Sequence, residues 1–212
     1  MGYYPLFLEM EGRPCLVVGG GEVATRKVEA LLSAGAHVTV VSPKIEPQLA
    51  HLRDEGRIQH EARDYEEGDV SGYQLVIAAT DNEAANERVS REARMYGALA
   101  NVVDRPELCD FIVPATVRQG EVALAISTGG LSPALARWLR QELEGYLSRD
   151  FALLAELLAE VRRELRERDI SVDPDAWQRA IDGDLRALLS QGRRDEAKKR
   201  LLAALGAGQL KA

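Results

Sequence analysis

The chain is short of several things, and each shortage removes a class of function. Cysteine occurs only at Cys15 and Cys109, far apart and outside any CxxC pattern. Neither a disulfide scaffold nor a thiolate zinc site is expected. Histidine occurs only at His37, His51 and His60, with no HExxH or HxH spacing, so no transition-metal site built from protein ligands is expected. No apolar run is long enough to cross a bilayer. The opening MGYYPLFLEMEGRPC lacks a basic start, a long apolar segment and a small-residue cleavage site. The reading is a cytoplasmic protein with no signal peptide and no membrane partner. A basic excess is also missing. The formal charge of −7 argues against broad nucleic-acid binding, while leaving room for an anionic ligand in a locally basic cleft. There is no internal repeat and no low-complexity linker.

What is present suits a packed globular chain. Hydrophobic residues at 46% and charged residues at 29% supply a real core and a solvated surface. A length of 212 residues allows one moderate domain with an appendage, or two small domains. The first half alternates strand and helix signals. Strands are expected at Leu16–Val18, His37–Val41, Ile58–His60, Leu75–Ala79 and Leu99–Val103. Helices are expected at Glu22–Ala34, Pro47–Glu55 and Asn82–Tyr96, the last capped by Asp81. Continuous apolar strands between helices predict an α/β fold, a doubly wound parallel sheet. The pattern changes near Phe111. Phe111–Val117 and Val122–Ser127 read as an antiparallel hairpin joined across residues 118–121. Ser132 and Pro133 then start a helix over Ala134–Leu147, and everything beyond Phe151 reads as helical.

The richest stretch is Cys15–Ala34. An apolar run breaks at Gly19-Gly20-Gly21 and a helical period follows. Gly19-x-Gly21-x-x-Ala24 is the dinucleotide spacing, with alanine as the third small residue. Gly19 permits the tight turn. Gly21 lets the backbone approach a pyrophosphate. Ala24 lets the helix pack closely on the strand, and the helix N-terminus offers unpaired N–H groups to phosphates. The alternative is a turn needed only for packing.

Ligands of such sheets bind at the carboxyl ends of the strands. That rule selects Gly19, Gly21, Glu22 and Val23 after the first strand and Ser42, Pro43 and Lys44 after the second. It adds Ala79, Thr80, Asp81 and Asn82 after the fourth, and Asn101, Asp104 and Arg105 at the fifth. The second-strand position departs from the usual pattern, which has an acid for the adenosine ribose. Ser42 and backbone groups are left to contact the ribose, Lys44 keeps NADP open, and Glu46 is a substitute acid placed slightly late. Asp104 suits a general base, or an Asp that bonds its own turn before Pro106. The Ser127–Ser132 loop suits either a carboxylate or a plain helix cap. Arg137 and Arg140 face either an anion or solvent.

Taken together, these motifs resemble the precorrin-2 dehydrogenase module of siroheme synthases. The resemblance rests on Pro5-Leu6-Phe7, on Cys15–Ala24 with Arg26-Lys27, on Ala78-Ala79-Thr80-Asp81, and on Asn101-Val102-Val103-Asp104 with Pro106. Phe111-Ile112-Val113-Pro114 and Ser127–Arg137 complete it. It covers essentially the whole chain and is densest over 5–140. It implies a Rossmann-type NAD-binding domain over 1–113, a small α+β dimerisation region over 114–149 and a helical region over 150–212. It implies NAD-dependent oxidation of precorrin-2 to sirohydrochlorin by a homodimer, and in some members insertion of iron into the product. NAD contacts of the family fall on Glu22, Val23, Pro43 and Lys44, and the proposed catalytic aspartate falls on Asp104. Arg105, Thr128, Ser132 and Arg137 are the expected receivers of the tetrapyrrole carboxylates. Some relatives have serine where Thr128 stands, and threonine keeps the hydroxyl. Two other readings remain: a redox-sensing NAD(H)-binding regulatory module without catalysis, and an NADP-dependent oxidoreductase of another small molecule.

Overall fold

A computed structural model describes residues 2–206. The chain divides into two compact units, the first ending at Val113 and the second starting at Pro114.

The first unit is built on a five-stranded parallel sheet. Its strands are β1 (Pro14–Val18), β2 (His37–Val41), β3 (Ile58–Glu61), β4 (Leu75–Ala78) and β5 (Leu99–Val102), in the order β3-β2-β1-β4-β5. The chain leaves β1 toward β2 and β3, then returns to β4 on the other side of β1. The strand order therefore reverses between β1 and β4, where a doubly wound sheet opens a crevice at its carboxyl edge. Helices α1 (Glu22–Ser33), α2 (Pro47–Asp54) and α3 (Glu83–Tyr96) connect the strands.

The continuous apolar runs follow from burial on both faces. Along β1, Cys15 and Val17 enter one core with Ala24, Val28 and Leu31 of α1 and Leu49 and Leu52 of α2. Leu16 and Val18 enter a second core with Val89 and Ala93 of α3 and with Tyr65 and Val70. Successive side chains point to opposite faces, so a strand covered on both must be apolar at every position. Burial pushes the Cys15 thiol up to about 11.

The link from β3 to β4, residues 62–74, has no helix. It is held by polar ties instead. Arg63 forks onto both oxygens of Asp69 at 2.7 Å, and Asp69 also accepts from the Glu66 N–H at 2.8 Å. Burial acts to raise the Asp69 carboxyl, but the Arg63 and Glu66 bonds outweigh it and hold it below the usual range. Tyr65 is buried and donates to the buried Glu92 carboxylate of α3 at 2.6 Å, and Gly68 N–H donates to the same group.

The second unit carries the hairpin β6 (Ala115–Gln119) and β7 (Val122–Ile126), antiparallel about a Gly120-Glu121 turn. The hairpin is real, but its first strand starts four residues later than the sequence suggested. Phe111 is not in a strand and instead packs on the first core of the sheet. Helices α4 (Pro133–Tyr146) and α5 (Arg149–Glu167) pack on the hairpin around Val117, Ile126 and Leu147. Helices α6 (Pro174–Ala180), α7 (Gly183–Ser190) and α8 (Arg194–Ala204) form a separate core with α5 around Leu157, Leu185 and Leu201. No described helix is long and apolar enough to cross a membrane.

Candidate functional site

A cleft of about 430 Å³ opens over the carboxyl ends of β1, β2 and β4. The residues after β1 form its floor: Gly19, Gly20, Gly21, Glu22 and Val23. Ser42, Pro43 and Lys44 come from the end of β2, and Ala79, Thr80, Asp81 and Asn82 from the end of β4. Ala85 and Arg88 of α3 and Asp64 and Tyr65 of the β3–β4 link close the rest.

Three adjacent glycines do three different things. Gly19 has φ +118, and a Cβ there would sit 2.2 Å from the Ala79 carbonyl oxygen. Gly20 has an ordinary backbone, but its Cβ would meet the Lys44 carbonyl at 2.1 Å and Ser42 Oγ at 2.8 Å. Those two are required by the protein's own packing. Gly21 is different, since a Cβ there would meet no atom of the described residues within 4 Å. It lines the cleft and caps α1 with no side-chain hydrogen bond. The first-turn N–H groups of α1 are thus left without a side-chain cap at the cleft, with the positive end of the helix dipole behind them. This is the arrangement that takes a pyrophosphate. A nicotinamide dinucleotide fits it, because the only one of these three glycines unconstrained by described protein atoms stands where a phosphate would need backbone access.

At the β4 end, the structure moves the helix cap by one residue. Asn82, not Asp81, caps α3, its Oδ1 accepting from Ala85 N–H at 3.1 Å. Asp81 is thereby left exposed on the cleft wall. Thr80 is fixed by Asn86, whose Nδ2 donates to the Thr80 carbonyl at 2.9 Å and whose Oδ1 accepts from the Thr80 hydroxyl at 3.0 Å.

Asp104 follows β5 and is exposed, with φ +59. The left-handed conformation is uncommon for any residue with a Cβ, though Asp tolerates it better than most. Around it the chain curls back on β5. Cys109 Sγ lies 3.2 Å from both the N–H and the carbonyl of Val102, and Asp110 Oδ2 accepts from Ala100 N–H at 2.9 Å. This staple holds the Asp104 turn at the carboxyl end of the sheet. Burial first, and then the Asp110 and Glu107 carboxylates, raise the Cys109 thiol against the opposing pull of its Val102 backbone bond and Lys27. Lys27, half-buried on α1, is held below the usual lysine range by burial first and then by Arg26, while Cys109 and Asp104 pull the other way. A cation of α1 and the carboxylate after β5 therefore share one neighbourhood.

Of the residues the sequence assigned to a cofactor, all but one line this cleft. Gly19, Gly21, Glu22, Val23, Ser42, Pro43, Lys44, Ala79 and Thr80 all line the cleft. Asn101 does not. Its Nδ2 donates to the Phe111 carbonyl at 3.0 Å, tying β5 to the segment that leaves it. Arg105 is ion-paired with Glu107 and Glu87. The hydrogen bond to Glu107 raises its guanidinium further. Thr128, Ser132 and Arg137 belong to the second unit. The Thr128 hydroxyl bonds across its own loop with Ser132, and Ser132 Oγ caps α4 through Leu135 N–H at 3.2 Å. Arg137 is exposed and has no carboxylate partner among the described residues. Glu46 is the residue preceding α2 and stands outside the cleft lining. The sequence reading missed Asp64, Tyr65 and Arg88. The carboxyl-end rule, applied to the third strand as well, points to the first two.

A family model described as "Putative NAD(P)-binding" matches residues 6–115. The chain belongs to that NAD(P)-binding family. A second model, described as sirohaem biosynthesis protein central, matches residues 119–146. A siroheme synthase of Methylococcus capsulatus is 44% identical over 211 residues, covering 98% of this chain and 44% of the relative. A siroheme synthase of Thioalkalivibrio sulfidiphilus is 42% identical over 210 residues, covering 98% of this chain and 43% of the relative. The chain thus spans less than half the length of these relatives. Among solved structures, one titled "SirC, precorrin-2 dehydrogenase" superposes with a TM-score of 0.77 at 26% identity, covering 95% of this chain and 100% of that one.

Proposed function

We propose that this chain oxidises precorrin-2 to sirohydrochlorin with NAD as acceptor. The observation that carries the reading is the match, along the whole of that chain, to a protein titled precorrin-2 dehydrogenase, joined to a cleft whose free glycine and open helix end suit a dinucleotide. The reaction removes two hydrogens from the macrocycle. One leaves as hydride and one as a proton, giving sirohydrochlorin, NADH and H⁺. A bound nicotinamide supplies the hydride acceptor. The chain's own residues do the rest. Gly21 and the first turn of α1 bind the pyrophosphate, with Glu22 and Val23 beside it. Ser42, Pro43 and Lys44 flank the adenosine side, and Ala79 and Thr80 the side toward β5. Asp104 is the catalytic residue, receiving the proton at its carboxylate. Lys27 offers its ammonium to a substrate carboxylate, and Arg137, with no carboxylate partner among the described residues, is kept as a candidate on the second unit. Thr128 and Ser132 shape that second-unit loop.

We assign 1–113 to cofactor binding, 114–149 to dimerisation and 150–212 to the helical region. The dimer reading rests on α4. It is strongly amphipathic yet has no buried residue; Leu135 and Trp138 expose 46% and 54% of their surface, and Leu131, just before the helix, exposes 92%. A second copy of the chain is the proposed cover. Anaerobic incubation of the chain with precorrin-2 and NAD tests the activity directly. NADH formation that depends on the protein supports it.

A further inference from the structure

A dinucleotide sheet ordinarily ends its second strand with an acid that accepts from the adenosine ribose hydroxyls. Here β2 ends at Val41 and is followed by Ser42, Pro43 and Lys44. None of the three side chains is a carboxylate. Ser42 is buried, and its hydroxyl donates to the Lys44 carbonyl at 2.7 Å. Pro43 has no side-chain acceptor, and Lys44 is a cation. The next acid, Glu46, is outside the cleft, and its N–H is committed to the Gly20 carbonyl at 2.8 Å.

The neighbouring strand supplies what β2 lacks. β3 runs parallel to β2 with Glu61 in register with Val41, and Ser42 N–H donates to the Glu61 carbonyl at 3.1 Å. Asp64 stands three residues beyond and lines the same cleft as Ser42, Pro43 and Lys44. Its backbone is fixed on both sides. Arg63 Nη1 donates to the Asp64 carbonyl at 3.0 Å while its guanidinium is occupied by Asp69 and Glu61. Tyr65 is anchored to Glu92. The Asp64 carboxylate itself has no ion-pair partner among the described residues.

We propose that Asp64 is the specificity-determining residue for the cofactor. Its carboxylate accepts from the adenosine ribose and repels a 2′-phosphate, so the chain selects NAD over NADP. The proposal rests on the reading of the cleft as a dinucleotide site. Lys44 and Arg88 line the same cleft and would attract a 2′-phosphate. Asp64 sets the balance against them, and removing its charge tips it toward the phosphate.

The test is fluorescence titration of the full chain with NADH and with NADPH, for the wild type, Asp64→Asn and Glu46→Gln. Hydrogen bonds to a charged group contribute enough for about a tenfold change in affinity or more. Asp64→Asn is expected to weaken NADH by about that factor and to tighten NADPH, and Glu46→Gln is expected to change neither. Asp64→Asn with both affinities unchanged, or with both weakened equally, overturns the inference while leaving the dinucleotide site standing. A shift in the NADH to NADPH ratio on Glu46→Gln overturns it as well. A wild type that binds neither nucleotide removes the cleft reading and the inference with it.

Discussion

Substituting alanine at two glycines only two residues apart is expected to give opposite outcomes. In Gly19→Ala the new Cβ lies 2.2 Å from the oxygen and 2.7 Å from the carbon of the Ala79 carbonyl, both backbone atoms of β4's end, at φ +118. Holding a residue with a Cβ there costs about 1–3 kcal/mol in backbone strain, and the overlap about 1–3 kcal/mol more. The sum, about 2–6 kcal/mol, is a large share of a domain's total stability. For a unit of this size that lowers Tm by about 10 °C or more. In Gly21→Ala the Cβ meets nothing within 4 Å and φ is an ordinary −83. A weaker helix cap is offset by a less flexible unfolded chain, so stability stays within about 0.5 kcal/mol. That methyl projects into the space assigned to the pyrophosphate, and NADH affinity is expected to fall at least about tenfold. Calorimetry should follow the melting, because both tryptophans, Trp138 and Trp177, lie in the second unit. If Gly21→Ala melts like the wild type and binds NADH equally well, the loop is a packing turn and the phosphate argument is wrong.

Three further outcomes follow from the structure. Asp104→Asn should keep NADH binding and lose turnover by about 100-fold or more, whereas Asp104→Gly, which relieves the positive φ, should melt no lower than the wild type and be equally inactive. Trp138→Glu should convert a sedimenting dimer into a monomer with an unchanged circular-dichroism spectrum, since the side chain is half exposed and supports no core of its own chain. Glu160 accepts from Lys198 and Arg194, and those bonds hold its carboxyl below the usual range. Its contribution is therefore complete above the unfolded value of about 4.3 and is lost as pH falls through the lower folded value. The Tm gap between wild type and Glu160→Gln should be open at pH 7, close in acid and narrow in high salt.

The first unit was legible because its signals are local. A glycine loop, a helical period and apolar strands each follow from a few consecutive residues, and the strand-end rule then gathered the cleft from sites far apart in sequence. Where the reading slipped, two local choices were nearly equal in energy. Asp81 and Asn82 are both good caps, and in the fold Asn82 takes Ala85 N–H while Thr80 turns onto Asn86. Phe111-Ile112-Val113 has strand propensity, yet Phe111 is drawn into the sheet's core and the hairpin starts at Ala115. Helix α7 falls within the stretch read as helical, and its Leu185 and Leu189 pack with α5 and α8. Asn101 and Arg105 were placed correctly along the chain, but their partners, Phe111 and Glu107, became visible only in the fold. Asp64 and Arg88 reach the cleft from a helix-free link and a helix flank that carry no motif.

In the proposed reaction the cofactor cleft and Asp104 act together, taking hydride and proton from precorrin-2. The most direct test mixes the purified chain with precorrin-2 and NAD under anaerobic conditions and follows NADH and sirohydrochlorin together. One NADH per sirohydrochlorin, at a rate proportional to protein and abolished by Asp104→Asn, is the predicted result. Sirohydrochlorin forming at the protein-free rate, in a sample that binds NADH normally, would contradict it.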